Sequence, residues 1–424
     1  MPLKSAIALA QKIQVEFLCV FSIRTTCSLG TKLRCQIERT TDALAEALAD
    51  NWQLLKEMQV LKSDTVQRRL QLWLPVLLMF VLHFALWGWI VATTDTDWLS
   101  LLRQWDAEFY RLIVENGYEG HSWAFLPLYP LVSKGFAWLT GLSAHSQVAG
   151  TLLSSLLFLG WVGCVGRLSE RASEPSTLAY LTPQTWIGWF CAVWSPASYV
   201  FHCHHTEALF LLLSFLSFWL AARDRPWIAA ILAGICFTAR NQGVFVIFAV
   251  AVLSASLAKS LPEKVRRFCL SGLIGALFLL SWLGYQYLKT GNPFFSFQVQ
   301  KNWAHATSFW SALQTFWFGN PWQNTNLGSI LHHVVFGLLL LAAIWLWHKS
   351  RIFALYIALS LTVMPLQGEL VNSFRFGAVL FPAWFVLGDR LARCPPWMKL
   401  GVLACLVFLN FMVTRNYALG RWAY

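Results

Sequence analysis

Four ionisable residues stand in or beside apolar stretches of the chain: Asp106, Glu207, Arg240 and Arg375. Charge at the edge of hydrocarbon is costly, and such groups pair with one another or line a cavity. Two carboxylates and two arginines at one depth point to an anion-handling site at a membrane surface. A carboxylate takes a proton from an acceptor hydroxyl. An arginine holds a phosphate group in a bidentate fork. Together they suit transfer from a lipid-linked phosphate, with positioning and electrostatics supplying most of the rate. The alternative is that each is a topological anchor in the headgroup region.

The rest of the chain sets the depth of these residues. It is 57% hydrophobic and only 12% charged, about half the charged share of an ordinary soluble domain. The composition and the long apolar runs predict an all-α polytopic membrane protein. About eleven apolar segments are legible, near 72–94, 147–166, 183–201, 206–222, 227–239, 243–258, 268–288, 331–348, 352–368, 374–388 and 400–416. Several fall short of the ~20 residues of a straight span. Residues 1–71 read as a cytoplasmic extension, amphipathic over 40–69, with Met58 an alternative start and no cleavable signal peptide. Residues 72–424 form the membrane domain. The net charge of +12 is read as loop charges that set orientation, and no aromatic-interleaved basic patch speaks for nucleic acid. Ten scattered cysteines without a CxxC spacing read as small apolar residues. "HCHH" at 202–205 lacks metal-ligand spacing and reads as interfacial, with a divalent metal the minor alternative; no cofactor is indicated.

Lysine and arginine placement gives the sidedness. "VQRRLQ" before the first segment is cytoplasmic, so 96–146 lies outside. "GRLSERASE" is inside, "HCHHTE" outside and "ARDRP" inside. The run 227–258 is too long for one crossing and carries "RNQG" in its middle. Read as a hairpin turning outside at "RNQG", it leaves the basic loop "KSLPEKVRR" inside. The loop 289–330 is then outside, "HKSR" inside, "QGELVNSFR" outside and "DRLARCPPWMK" inside. The four ionisable residues thus collect on the outer face, beside the two large outer loops, 96–146 and 289–330.

At this point a family resemblance carries further information. "WDAEFYRLIVENGYEGHSWAFLPLYPLV" resembles the first luminal loop of GPI mannosyltransferase 2, the PIG-V family, and of its bacterial relatives. Trp105, Asp106, Gly117, Tyr118, Ala124, Phe125, Pro127, Leu128, Tyr129 and Pro130 match it. "SPASYVFHCHHTEALF" resembles a second motif through Pro196, Ala197, Ser198, Thr206 and Glu207. "ARNQG" resembles a third through Arg240 and Gly243. "TGNPFFSFQVQKNW" resembles a bacterial fourth through Thr290, Gly291, Pro293, Gln300 and Trp303. The matches run in order from about 72 to 388.

The resemblance implies a GT-C type glycosyltransferase, an inverting mannosyltransferase that takes its sugar from a polyprenyl-phosphate carrier at the extracytoplasmic face of the cell membrane. A lipid or glycan would be the acceptor. It implies Asp106 as the catalytic base, Trp105 shaping the sugar or carrier pocket, and Glu207 orienting acceptor or sugar. Arg240 and Arg375 are candidates for the carrier phosphate, Arg375 on topology alone. Tyr118, Pro127, Tyr129, Gln300 and Trp303 are the remaining substrate-binding candidates. Glu108 ranks behind Asp106, since i and i+2 point apart on a helix. Four positions depart from the family pattern: Ser195, His205, Gln242 and Asn292. They bear on acceptor and donor identity more than on fold. The scattered cysteines and the outer-loop style suggest a bacterial chain.

Two rivals remain. One is a different GT-C activity with a glucose or aminosugar donor. The other is a transporter or flippase for lipid-linked sugars, which would show paired repeats and a mid-membrane site; neither is visible here. The sidedness has a direct test. Cysteines introduced at Gly120 and Gln323 are expected to react with an impermeant maleimide on intact cells, and one at Asp224 is not. Labelling at 224 would invert the topology.

Overall fold

The computed structural model describes residues 64–169, 180–300, 327–364, 370, 372–421 and 423. The chain divides into a unit of residues 1–67 and one of 68–424, and the account below concerns the second. The expected extension 1–71 falls outside the described residues up to position 63, as does 301–326 of the second outer loop. Helices are the only regular elements among the described residues. In chain order they are α1 (Asp64–Thr93), α2 (Trp98–Leu101), α3 (Asp106–Asn116), α4 (Leu128–Leu139), α5 (Ser146–Ser169), α6 (Trp186–Val193), α7 (Glu207–Ala222), α8 (Pro226–Phe237), α9 (Gly243–Ser256), α10 (Leu261–Thr290), α11 (Phe295–Gln300), α12 (Leu327–Trp347), α13 (Arg351–Thr362), α14 (Ser373–Ala378), α15 (Phe381–Leu391) and α16 (Pro396–Ala418).

Among the described residues α1, α5, α10, α12 and α16 are long and apolar enough to cross a membrane; α7, α8, α9 and α13 are shorter apolar helices. Each of the eleven apolar segments coincides with helix, but five have full length, so the expected number of crossings is not reached by length alone. Two segments break for a visible reason. The 183–201 segment is helical only over α6, which ends one residue before Ser195-Pro196; a 3-10 turn follows at Ser198–Phe201. The 374–388 segment splits into α14 and α15, and Pro382 lies in the first turn of α15. A residue before proline is steered out of the helical region, and proline suits a helix start.

The run 227–258 is a pair of packed helices, α8 and α9, joined across residues 238–242. Gly243 makes the turn possible: a Cβ there would fall 2.3 Å from the Phe237 Cα. The stretch 96–146, read from sequence as a loop, is largely helical. Asp97 caps α2 by accepting from Leu99 N at 2.7 Å and Ser100 N at 2.9 Å; these bonds hold its carboxyl below the ordinary value. Asp106 and Glu108 occupy the first turn of α3, where acids favour the helix dipole. α3 and α4 are amphipathic over 11 and 12 residues, a period present in the sequence but passed over by a reading based on long apolar runs.

Two kinds of contact hold the bundle in register. α6 and α15 cross at backbone contact, where a Cβ on Gly388 would lie 2.5 Å from the Gly188 Cα. Beside this crossing Trp161 stacks on Trp189 and on Phe385, with centroids 5.3 and 6.3 Å apart. The second contact is polar. His83 of α1 bonds His202 (3.0 Å) and the Asn410 side-chain oxygen of α16 (2.6 Å). The Asn410 amide donates to the Ser195 carbonyl and the Ser198 hydroxyl, both at 2.7 Å. All of these side chains are buried, and in a dry interior such partners are expensive to lose. They pin the segment between α6 and α7, which ends at Glu207. On the outside, α10 leaves Leu273, Leu277, Leu280 and Leu288 exposed, a surface suited to lipid.

Gly388→Leu is expected to force α15 off α6 and lower detergent stability by ~1–3 kcal/mol, read as a fall in melting temperature. Gly135→Ala, where nothing lies within 4 Å of the added Cβ, is expected to leave the melt unchanged. Equal melts for the two variants would contradict the crossing.

Candidate functional site

The four ionisable residues meet. Asp106 opens α3, Glu207 opens α7, Arg240 lies in the α8–α9 turn and Arg375 sits on α14. One oxygen of Glu207, Oε1, accepts from the Arg240 guanidinium and from Arg375 Nε, and Arg375 Nη1 also donates to Asp106 Oδ2. The result is a continuous chain, Asp106–Arg375–Glu207–Arg240. Glu207 is fully buried, both arginines are nearly so, and the Asp106 side chain keeps 22% of its surface exposed. The chain therefore opens outward at Asp106. The second Glu207 oxygen, Oε2, is buried and has no hydrogen-bond partner among the described residues.

Local sequence explains each placement. Arg240 Nε donates to the Gln242 side chain at 3.2 Å, and its guanidinium lies 5.2 Å from the Phe376 ring centroid. Gln242 in turn donates to the Phe376 carbonyl at 3.4 Å, so the "ARNQG" turn and "FRF" of α14 hold each other. The Thr206 hydroxyl reaches the Ala239 carbonyl at 3.2 Å. Leu128 N donates to the Thr238 carbonyl at 3.0 Å, tying "AFLPLYP" to the arginine turn.

The sequence-predicted residues divide into groups. Trp105 caps α3 with φ +56°, a left-handed conformation that costs a bulky residue about 1–3 kcal/mol and collects at functional sites. Its indole donates to the Arg421 carbonyl at 3.0 Å, so the strained turn that aims Asp106 is anchored to the C-terminal segment. Pro127 precedes α4 as its cap. Tyr129 is a buried strut: its hydroxyl bonds Ser154 (2.7 Å) and the Gly150 carbonyl (3.1 Å), and Ser154 donates to the His205 carbonyl (2.9 Å). Tyr118 stacks on Trp123 and Trp282, with centroids 4.8 and 5.5 Å away, and burial pushes its phenol above the ordinary value. Gln300 donates to the Ala124 carbonyl at 2.9 Å. These three shape the walls around the first outer segment rather than meeting the ion chain. Glu108 faces away and pairs with Arg111 at 2.6 Å. Trp303 lies outside the described residues. His204 bonds Ser133 at 3.0 Å.

Sequence reasoning missed two participants. Gln242, noted only as a departure from a motif, is the side chain that steadies Arg240. Phe376 backs the same guanidinium, and its place beside Arg375 in "FRF" was the available signal. Chemically the site offers two guanidinium groups sharing one deep carboxylate, with a second carboxylate at the mouth. Each carboxylate already faces a guanidinium, so the donor set suits an anion-bearing ligand better than a divalent metal.

Removing one partner of a buried pair strands the other charge and costs ~3–5 kcal/mol. Glu207→Gln is expected to destabilise the purified protein by about that amount in a detergent melt. Glu108→Gln, at a half-exposed surface pair, is expected to cost at most ~1 kcal/mol. Similar small effects for both would show that the chain carries no structural weight.

Over 207 residues, 47% of this chain and 40% of the relative, the sequence is 27% identical to GPI alpha-1,6-mannosyltransferase 2 of Rattus norvegicus. Over 184 residues, 41% of this chain and 34% of the relative, it is 28% identical to GPI alpha-1,6-mannosyltransferase 2 of Mus musculus. The matched region spans less than half the length of either protein. No family model matches the chain, and no solved structure matches it. The chain is thus similar, over less than half its length, to proteins that carry the name of the family its loop motifs resemble.

Proposed function

We propose that this chain is an integral-membrane, inverting mannosyltransferase of the bacterial cell membrane that moves a sugar from a polyprenyl-phosphate carrier to a lipid or glycan acceptor at the extracytoplasmic face. The observation that carries this reading is the ion chain Asp106–Arg375–Glu207–Arg240, assembled from four segments far apart in sequence. The similarity to mannosyltransferases supports the sugar and the reaction class.

In this mechanism Asp106, the most exposed member of the chain, takes the proton of the acceptor hydroxyl. The acceptor oxygen forms its bond to the anomeric carbon as the bond from that carbon to the carrier phosphate oxygen breaks. The phosphate leaves with the electron pair, and Arg240 and Arg375 receive its charge. Opposite-face displacement inverts the anomeric configuration. Glu207 holds both guanidinium groups in place, so the cationic pocket is built before the carrier arrives and needs little reorganisation during the reaction. Trp105 fixes the direction of Asp106. Tyr118, Tyr129, Pro127 and Gln300 hold the surrounding walls, with Trp303 as a further candidate contact for donor or acceptor.

The test uses purified protein with polyprenyl-phosphate mannose and, separately, polyprenyl-phosphate glucose. Wild type is expected to release carrier phosphate from the mannose donor. Asp106→Asn is expected to lower that rate by 10²–10⁴-fold, roughly the value of a general base, while the protein still folds and melts cooperatively. Full activity in Asp106→Asn would overturn the mechanism, and release from the glucose donor alone would reassign the sugar.

A further inference from the structure

A cluster of cations lies toward the far end of α12. His332, in the first turns of α12, bonds Ser373 at 2.9 Å, two residues before Arg375. From His332, α12 runs on for ~22 Å, at 1.5 Å per residue, and ends at Trp347. At that far end a cavity of about 220 Å³ is bounded by α12, α15 and the segment leading into α6. Lys349, Arg390 and Arg393 line it, against one carboxylate, Asp389. That carboxylate already accepts from Gln184 N (3.0 Å), Thr185 N (2.8 Å) and the Thr185 hydroxyl (2.7 Å), and none of the three cations forms an ion pair with it or with any other described carboxylate. Arg390 lies 5.3 Å from the Trp345 ring centroid, which fixes its guanidinium at the cavity edge. α12, which contributes Trp345 to the cavity, exposes Leu340, Ile344 and Trp347 elsewhere on its surface.

Three cations around a recess, next to an apolar helix face, match a phosphate headgroup whose acyl chains lie along that face. Basic pockets between membrane helices bind anionic headgroups in this way. We infer that Lys349, Arg390 and Arg393 form a binding site for an anionic glycerophospholipid in the leaflet opposite the Asp106 centre. The apolar face of α12 favours the lipid over free phosphate, which has no use for it.

The experiment is native mass spectrometry of the full chain in detergent, titrated with phosphatidylglycerol, with phosphatidylcholine of the same acyl chains, and with phosphatidylglycerol plus inorganic phosphate. Wild type is expected to bind phosphatidylglycerol at least ~10-fold more tightly than phosphatidylcholine. The triple variant Lys349→Gln/Arg390→Gln/Arg393→Gln is expected to lose about a hundredfold in phosphatidylglycerol affinity, at roughly one favourable contact per cation. Should the triple variant not fold, Arg393→Glu alone, at an exposed side chain, is expected to weaken phosphatidylglycerol selectively. Unchanged binding in whichever variant folds overturns the site. Displacement of the lipid by equimolar inorganic phosphate overturns the lipid assignment.

Discussion

The structure turns on one buried carboxylate. Glu207 sits at the first position of α7, fully enclosed, and its Oε1 is shared by Arg240 and Arg375. Two guanidinium groups without that counter-charge would not rest together in a low-dielectric interior. Because Glu207 is held, α7, the α8–α9 turn and α14 converge on one point. Because Arg375 reaches past it to Asp106, α3 is tied to the same point.

The surrounding architecture keeps Glu207 where it is. The segment before α7 cannot be a straight helix, since Ser195-Pro196 interrupts it. It is instead packed into the bundle and fastened by buried polar contacts to α1 and α16 through His83 and Asn410. The close approach allowed by Gly150, where a Cβ would fall 1.9 Å from the His204 ring, presses "HCHH" against α5. These histidines read from sequence as interfacial residues. They are interior residues instead, and they hold the backbone that delivers Glu207.

Much of this was legible in the residue types. The apolar segments gave the helical class, and the cost of charge near hydrocarbon singled out Asp106, Glu207, Arg240 and Arg375, which meet in the structure. The break at "RNQG" is the turn between α8 and α9. Other features were hidden for physical reasons. The two longest helices within 96–146, α3 and α4, are amphipathic but only 11 and 12 residues long, so a search for long apolar runs passes over them. Span lengths failed as a guide because α6, α8 and α13 are 8, 12 and 12 residues long and their partners, not their length, keep them buried. Glu108 ranked behind Asp106 because i and i+2 point apart on a helix, and α3 does send one to Arg111 and the other to Arg375. Gln242 looked like a weakened motif, yet its side chain does the work of bracing Arg240.

Charge balance links the architecture to the proposed chemistry. The ion chain holds two cations and two anions, so it is stable without a ligand. A phosphate entering beside Arg240 and Arg375 would add a fourth oxygen-bearing partner to groups already in place, with Asp106 at the mouth and Glu207 behind. A structure of the protein with bound polyprenyl phosphate tests this most directly. The account predicts phosphate oxygens within hydrogen-bonding distance of Arg240 or Arg375, on the side where Asp106 opens to solvent. Phosphate bound elsewhere, with all four ion-chain residues sealed from it, would contradict the account.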